Sequence, residues 1–275
     1  MSQVPLLPLN HGPSLPRLGL GVYQVPPERT AEVVRTALEA GYRSVDTAAV
    51  YGNERGVGEA VRSSGIPRAE LHVTTKLWNT DQGPDSARTA FEASLARLGL
   101  DYVDLYLIHW PVPALDRYVE TWRTLEKLRA DGRVKAIGVS NFQVPHLRRL
   151  IEETGTVPAV NQIELHPYLQ QARLRAFHAE HGIATQAWSP LGQGLLLDDP
   201  VITELAGKHG RTPAQVMLRW NLQLGNAVVA KSADPGRLRE NLAAFDFDLP
   251  AEDLALIATL HSDTRTGPRP DTFTG

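Results

Sequence analysis

The sequence predicts an α/β protein that forms a single (β/α)8 barrel of the TIM type. Eight short runs rich in apolar and β-branched residues alternate with helical stretches along the 275-residue chain, and this order is typical of a parallel α/β protein. Eight repeats suit a closed barrel, for which about 250 residues are usual. No linker and no change of composition divides the chain, so residues 1–275 are predicted to form one domain.

The first half of the chain is predicted to supply four strand–helix pairs. A strand over residues 18–20 precedes a helix over 28–40 that ends at Gly41. A strand over 43–46 precedes a helix over 53–62, and the alternating pattern of 71–77 predicts a third strand before a helix over 85–98 that ends at Gly99. The fourth strand, 102–108, precedes a helix around 115–130. Glycine is a frequent helix end because it readily adopts the left-handed backbone conformation.

The second half is predicted to supply the other four pairs. A fifth strand over residues 134–139 precedes a helix over 144–152. The last three strands are predicted over 159–163, 183–187 and 227–229. Helices are expected over 172–180, over 201–208 with a continuation through 213–222, and over 235–241. Gly or Pro stands at most of the joints, as helix ends and turns require.

A doubly wound open sheet is the alternative that the same order of elements allows. In that fold the first strand is followed by a G-x-G-x-x-G turn that holds a dinucleotide. Here only Gly19-Leu20-Gly21 is present, which is more typical of a tight turn. The closed barrel is therefore favoured.

Composition and charge exclude several kinds of protein. The chain has 28 Lys and Arg against 31 Asp and Glu, a net charge of −3, which gives no long-range attraction to nucleic acid or to an acidic membrane. It has no cysteine, so disulfides, thiolate metal sites and cysteine nucleophiles are absent. No secretory signal and no apolar run of about 18 residues is found. We expect a cytoplasmic protein with no membrane or nucleic-acid partner.

Polar side chains stand at or near the ends of three neighbouring predicted strands. Asp46 ends the second strand and Tyr51 lies in its loop, Lys76 is near the end of the third, and His109 follows the fourth. Function collects at the carboxyl ends of the strands in a barrel of this type. Each residue alone has a plainer explanation, such as a turn cap for the aspartate or loop packing for the tyrosine. A lysine inside an apolar strand, however, requires a partner.

Together these four residues are suited to proton transfer to a carbonyl group. A tyrosine is a poor acid near neutrality because its pKa is about 10, and a nearby ammonium group is expected to lower it. A buried aspartate would keep Lys76 charged and oriented. His109 could donate a hydrogen bond to a substrate carbonyl, whose oxygen gains negative charge when hydride arrives at the carbon.

Seven segments resemble the aldo-keto reductases, in the same order and over about residues 5–275. They are DTAAVYGNERGVGEA (46–60), LHVTTKLW (71–78), DLYLIHWP (104–111), GVSNF (138–142), NQIELHP (161–167), AWSPLGQG (187–194) and AKSADPGRLREN (230–241). The chain is most similar to the bacterial group that includes 2,5-diketo-D-gluconate reductases. The resemblance implies a barrel with a short N-terminal hairpin and a C-terminal tail, 267–273, over the site. It also implies NADP(H)-dependent reduction of aldehydes or ketones, including diketones or keto sugars, with Tyr51 as proton donor.

The resemblance also implies which residues hold the cofactor. Those expected around the nicotinamide are Gly21, Val22, Ser140, Asn141, Gln162 and Trp188. Those expected along the pyrophosphate and the adenosine are Ser189, Leu191, Gln193, Lys231, Ser232, Arg237, Glu240 and Asn241. Without the family, the same residues could be turn caps, barrel packing and a solvated charged helix. Val229-Ala230 and Ala233 differ from the usual family residues, and Trp188 stands where many members have tyrosine.

The substrate pocket is expected to be apolar with few polar groups. The residues that match pocket positions of the family are Tyr23, Ala49, Trp78, His109 and Trp110. The substrate is expected to be a small carbonyl compound and the protein a monomer. Two other functions stay open at this point: a barrel that binds NADP(H) for regulation with little turnover, and a metal-dependent hydrolase or isomerase. No H-x-H or H-E-x-x-H motif supports the latter, and no metal is expected.

Overall fold

Eight parallel strands close into a barrel in the computed structural model, which describes residues 4–275. The strands of the barrel are β3 (Leu18–Gly21), β4 (Ser44–Asp46), β5 (His72–Leu77), β6 (Val103–Ile108), β7 (Val134–Ser140), β8 (Val160–Glu164), β9 (Ala184–Trp188) and β10 (Ala227–Ala230). They pair in chain order, and β10 closes the barrel by pairing with β3. Before them, β1 (Leu6–Leu7) and β2 (Leu15–Pro16) form an antiparallel hairpin. The predicted (β/α)8 barrel is confirmed.

Ten helices accompany the strands within residues 4–275. They are α1 (Pro27–Ala40), α2 (Glu54–Ser63), α3 (Pro84–Leu98), α4 (Tyr118–Ala130), α5 (Val144–Thr154), α6 (Ala172–His181), α7 (Pro200–His209), α8 (Pro213–Gln223), α9 (Pro235–Leu242) and α10 (Ala251–Ala258). Six of them have proline in the first turn, where the missing N–H leaves no helical hydrogen bond broken. Their apolar faces pack on the outside of the barrel.

The helices differ from the prediction in two places. The helix expected to run from 201 through 222 is two helices, because Gly210 adopts φ +59° and ends α7 and Thr212 then caps α8 by accepting from the backbone N–H of Gln215. The helix α10 was not predicted. It is held against α7 by Asp253, whose carboxylate lies 2.7 Å from Lys208 Nζ and 2.6 Å from His209 Nε2.

The N-terminal hairpin packs against the barrel, and one of its side chains contacts residues of the barrel strands. Leu15 packs with interior residues of β6 and β7, including Leu105, Leu107 and Ala136. Gly12 has φ +80°, and a Cβ at this position would lie 2.8 Å from the carbonyl oxygen of Lys135. Only glycine therefore fits this approach.

His11 holds this hairpin by accepting a hydrogen bond from the backbone N–H of Ile137 at 3.3 Å. Burial, with a smaller contribution from Arg129, lowers the pKa of His11 from 6.5 to about 4. Between these pH values the unfolded chain binds more protons than the folded chain, so the stability falls as the pH is lowered from 6.5 to 4. His11 is only partly buried, so we expect a loss of about 1–2 kcal/mol.

The variant His11→Gln keeps a hydrogen-bond acceptor but does not titrate. We expect its free energy of unfolding, measured in urea at pH 7 and pH 5, to fall less between the two pH values than that of the wild type. His181→Gln, at the end of α6, is the matched control and should keep the wild-type difference. An unchanged pH dependence in His11→Gln would contradict this role.

Candidate active site

A cavity of about 500 Å³ opens at the carboxyl ends of the strands. This is the end of the barrel at which the polar residues were predicted to meet. Its lining residues are Gly21, Tyr23, Asp46, Val50, Tyr51, Trp78, His109, Trp110, Ser140, Asn141, Gln162, Trp188, Ser189, Gln193, Val229, Thr266, Gly267, Pro268 and Phe273. The cavity therefore brings together three of the four predicted catalytic residues, with the fourth, Lys76, directly beneath them.

Lys76 and Asp46 form a buried ion pair under the cavity. Lys76 is fully buried on β5, and its Nζ lies 2.5 Å from Asp46 Oδ1. The same ammonium group donates to the carbonyl oxygen of Thr47 at 2.9 Å. Burial lowers the pKa of Lys76, and the Asp46 carboxylate opposes that shift. The aspartate thus supplies the partner that the sequence required for a lysine inside the barrel.

Tyr51 lies between this pair and the cavity, at the end of a 3-10 turn formed by Ala49–Tyr51. Lys76 Nζ is 5.3 Å from the centre of its ring. Burial, with contributions from the charges of Asp46 and Tyr23, raises the pKa of Tyr51 well above 10. The expected net lowering of this pKa is wrong for this structure, because burial of the phenol outweighs the effect of the nearby ammonium group. The phenol is therefore protonated at neutral pH and can donate a proton.

His109 stands across the cavity floor from Tyr51, with the two ring centres 5.8 Å apart. Burial, with a contribution from the charge of Lys76, lowers the pKa of His109 well below 6.5, so the imidazole is neutral. Its Nδ1 is buried and has no hydrogen-bond partner within residues 4–275. This environment favours a proton on Nε2, the nitrogen that can reach a partner in the cavity. His109 is thus a neutral hydrogen-bond donor beside the phenol.

A network of amide and hydroxyl groups forms the opposite wall. Asn141 donates through Nδ2 to the carbonyl oxygen of His109 at 3.0 Å and to Ser140 Oγ at 3.1 Å. Its Oδ1 accepts from Trp188 Nε1 at 2.8 Å. Asn141 has φ +64°, a conformation that asparagine tolerates better than most residues. These bonds fix the edge of the Trp188 indole relative to His109.

Gln162 connects this wall with the ion pair. Its Nε2 donates to Asp46 Oδ2 at 2.7 Å and to Gln186 Oε1 at 2.8 Å. Both of its amide protons are therefore committed, and Oε1 is the atom left to accept a hydrogen bond from a bound molecule. Gln186, buried on β9, is a positioning residue that the sequence did not reveal, since a glutamine in a strand carries no specific signal.

Aromatic residues and the C-terminal tail form the rest of the cavity. The Phe273 ring centre lies 4.4 Å from that of Trp110 and 6.4 Å from that of Trp78. Tyr23 lies beside Tyr51, with ring centres 5.1 Å apart. Gly267, Pro268 and Phe273 belong to the segment that was predicted to cover the site. Of the other lining residues, Val50, Val229 and Thr266 were not predicted.

A second, more open cavity of about 410 Å³ lies at the start of α9. It is lined by Lys231, Ser232 and Arg237, which the resemblance assigns to an adenosine phosphate. Glu240 and Asn241 line neither cavity. Glu240 accepts from Thr212 Oγ1 at 2.6 Å, and Asn241 is buried. Their contact with an adenine ring stays a prediction.

Three further predicted residues do not line the main cavity. Val22 is buried and donates its backbone N–H to the carbonyl oxygen of Asp46 at 3.1 Å. Ala49 starts the turn that carries Tyr51, and its neighbour Val50 lines the cavity instead. Leu191 packs against the core. The predicted contacts of these three residues with a bound molecule stay untested.

Within the part of the chain that the structure describes, no three His, Asp or Glu side chains are placed so that they could hold a metal ion. Among residues 4–275, no helix has both the length and the apolar character needed to cross a membrane.

The Aldo/keto reductase family model matches residues 17–261 of this chain. The chain therefore belongs to the aldo/keto reductase family of oxidoreductases, and the family predicted from the sequence motifs is confirmed.

Curated relatives match along almost the whole chain. An aldo-keto reductase of Mycolicibacterium smegmatis is 56% identical over 269 residues, which cover 98% of each protein. A protein of Yersinia pestis described as methylglyoxal reductase DkgA is 51% identical over 275 residues, 99% of each. The chain is thus similar to members of the family along both lengths.

Solved structures also match. A mutant of Gox0644 in complex with NADPH is 50% identical, with 99% of each chain covered and a TM-score of 0.95. A Bombyx mori aldo-keto reductase in complex with NADP is 36% identical, with 96% of this chain and 95% of that chain covered and a TM-score of 0.90.

Proposed function

We propose that this protein uses NADPH to reduce aldehydes or ketones to alcohols, with Tyr51 as the proton donor. The observation that carries this proposal is the arrangement under the cavity. A protonated phenol lies between a buried Lys76–Asp46 pair and a neutral imidazole, all at the floor of an apolar pocket. Reduction of a carbonyl group needs a proton donor within hydrogen-bond reach of its oxygen, and the phenol of Tyr51 at the cavity floor is suited to this role.

The residues present fit NADP(H) on two counts. Gln162 Oε1 faces the cavity with no partner inside the described chain, and Ser140 and Asn141 lie beside it, so that polar groups suited to a carboxamide are grouped next to the Trp188 ring. Lys231 and Arg237 supply positive charge around the second cavity, as a phosphate group requires. Relatives solved with NADPH and NADP support the same cofactor.

The roles of the residues follow from their positions. When bound, NADPH supplies the hydride to the carbonyl carbon. Tyr51 donates its phenolic proton to the carbonyl oxygen, and the Nε2–H of His109 orients that oxygen. Lys76 stabilises the phenolate that Tyr51 becomes, because the ammonium group lies on the ring side away from the cavity and is held there by Asp46.

The pocket is suited to small carbonyl compounds with an apolar portion. Trp78, Trp110 and Phe273 provide aromatic walls, and few polar groups point into the space. A relative described as methylglyoxal reductase supports small dicarbonyl compounds as candidates.

Calorimetric titration of the protein with NADPH, followed by absorbance assays of NADPH oxidation, tests this function. The carbonyl panel contains aldehydes, α-dicarbonyl compounds and keto sugars. We expect NADPH to bind and at least one panel member to oxidise it. Tight NADPH binding with no turnover of any compound would instead indicate a regulatory NADP(H)-binding barrel. If NADPH failed to bind the folded protein, the proposal would be refuted.

The cofactor preference depends on Arg237. Replacing Arg237 by Gln removes a positive charge beside the second cavity, so we expect the Kd for NADPH to rise about tenfold or more, the usual value of a charge-assisted phosphate contact. The Kd for NADH, which lacks the 2′-phosphate, should change little. Arg239→Gln, on the same helix but outside that cavity, is the matched control. Equal weakening of both cofactors would contradict this assignment.

A further inference from the structure

Glu164 is a buried carboxylate that the proposed reaction does not use. It ends β8 at the rim of the barrel, and its side chain is fully buried. A charge in this position is costly unless donors surround it. Most of the donors that approach it come from the C-terminal tail, whose residues 262–275 form no helix or strand.

The tail contacts Glu164 through three successive residues. Thr266 donates both its backbone N–H, at 2.5 Å, and its hydroxyl, at 2.8 Å, to Oε1. Gly267 N–H donates to Oε2 at 3.3 Å, and the guanidinium of Arg265 lies 3.7 Å from the same oxygen. His166 Nε2, from the barrel side, lies 3.1 Å from Oε1. The carboxylate and the tail thus satisfy each other's hydrogen-bonding groups.

This attachment sets the position of one end of the cavity. Thr266, Gly267 and Pro268 line the cavity directly after the attachment point, and Phe273 lines it at the other end of the tail. Gly267 lies so close to Trp188 that a Cβ at this position would be 2.5 Å from Cη2 of the indole. Glu164 therefore holds Gly267 in close contact with the indole of Trp188, which lines the cavity.

We propose that Glu164 is a specificity-determining residue, which anchors the tail as the roof of the substrate pocket and so limits the size of the carbonyl compound admitted. This inference rests on the proposed function. With the anchor intact, a small dicarbonyl compound is enclosed by the tail, while a bulky aromatic aldehyde must displace it. When the anchor is removed, the larger compound displaces the tail more easily. The tail then no longer encloses the smaller compound.

The variant Glu164→Gln tests the anchor without reference to turnover. Its amide places an N–H₂ group opposite the donors of Thr266 or Gly267, so at least one of these hydrogen bonds is lost. Trypsin can release the tail by cutting after Arg265, whereas Arg269 is followed by Pro270 and resists cleavage. We expect the loss of residues 266–275, followed by mass spectrometry, to be about tenfold faster than in the wild type, the equivalent of one charge-assisted hydrogen bond. Cleavage at other sites is the internal control for folding.

The second measurement is the ratio of kcat/KM for a bulky aromatic aldehyde to kcat/KM for methylglyoxal. We expect this ratio to rise about tenfold in Glu164→Gln, within the range that pocket-size changes produce. A merely structural loss would lower both values together and leave the ratio unchanged. Thr266→Val, which removes only the hydroxyl donor, should shift the ratio in the same direction by a smaller factor. Thr272→Val, an exposed tail position away from Glu164, is the matched control and should match the wild type.

The outcomes separate the inference from the proposed function. An unchanged rate of tail release in both Glu164→Gln and Thr266→Val would overturn the anchor. Faster release with an unchanged substrate ratio would overturn the specificity role. If the wild type reduced no carbonyl compound, the proposed function would fail, and the specificity role with it, while the trypsin comparison would still decide whether Glu164 holds the tail.

Discussion

Replacing Tyr51 by Phe is expected to lower kcat for carbonyl reduction by roughly 10²–10⁴-fold, the usual contribution of a positioned proton donor. The variant keeps the ring that lies 5.1 Å from Tyr23 and 5.8 Å from His109, so the packing of the cavity is preserved. Only the phenolic hydroxyl group is lost. The Kd for NADPH, measured by calorimetry, should therefore change little.

Tyr102→Phe provides the matched control, because this tyrosine packs between Arg68 and Lys135 away from the cavity. Its kcat should equal that of the wild type. Full activity in Tyr51→Phe would show that another group donates the proton. A large rise in the Kd for NADPH in the same variant would place the hydroxyl in cofactor binding instead.

The second large effect is expected from Lys76→Met. This change removes the ammonium group and leaves the Asp46 carboxylate buried with only the amide of Gln162 as a side-chain partner. Breaking a buried ion pair from one side costs about 3–5 kcal/mol. We expect a decrease of that size in the free energy of unfolding measured in urea, together with a loss of carbonyl reduction.

The double variant Lys76→Met/Asp46→Asn separates the charge from the packing. Because it leaves no unpaired charge, it should be more stable than Lys76→Met alone by about 1 kcal/mol or more. Arg133→Met is a matched control, since its pair with Glu92 is about half exposed and exposed pairs contribute about 0–1 kcal/mol. A double variant less stable than Lys76→Met would contradict the view that the buried charge causes the loss.

Most of the fold could be predicted because its signals are local. The predicted barrel strands agree with the observed strands to within one or two residues at each end, since apolar runs bounded by Gly and Pro mark them. The break between α7 and α8 was missed because it depends on Gly210 adopting φ +59°, whereas a single glycine within a helical pattern is compatible with either outcome. The helix α10 depends on the contact of Asp253 with α7, which lies far away in the sequence.

The candidate site was predictable where a residue type conflicts with its surroundings. Lys76 stood out because an ammonium group in an apolar strand needs a partner, and Asp46 is that partner. The same reasoning applied to Glu164, a carboxylate at the end of a buried strand, would have raised the question of its donors. Two of its donors are the backbone N–H groups of Thr266 and Gly267, which carry no side-chain signal and lie 102 and 103 residues away in the sequence. The raised pKa of Tyr51 follows mainly from burial, with contributions from Asp46 and Tyr23, and only the three-dimensional arrangement determines these effects.

The positions of the tryptophans give the protein a built-in optical signal. Trp78, Trp110 and Trp188 line the cavity, whereas Trp122 and Trp220 are buried in the core. These are all of the five tryptophans in the chain. Emission from the first group should respond to occupancy of the pocket, and emission from the second should change only when the chain unfolds. One fluorescence spectrum therefore reports both events, and single Trp→Phe replacements can separate them without an added dye.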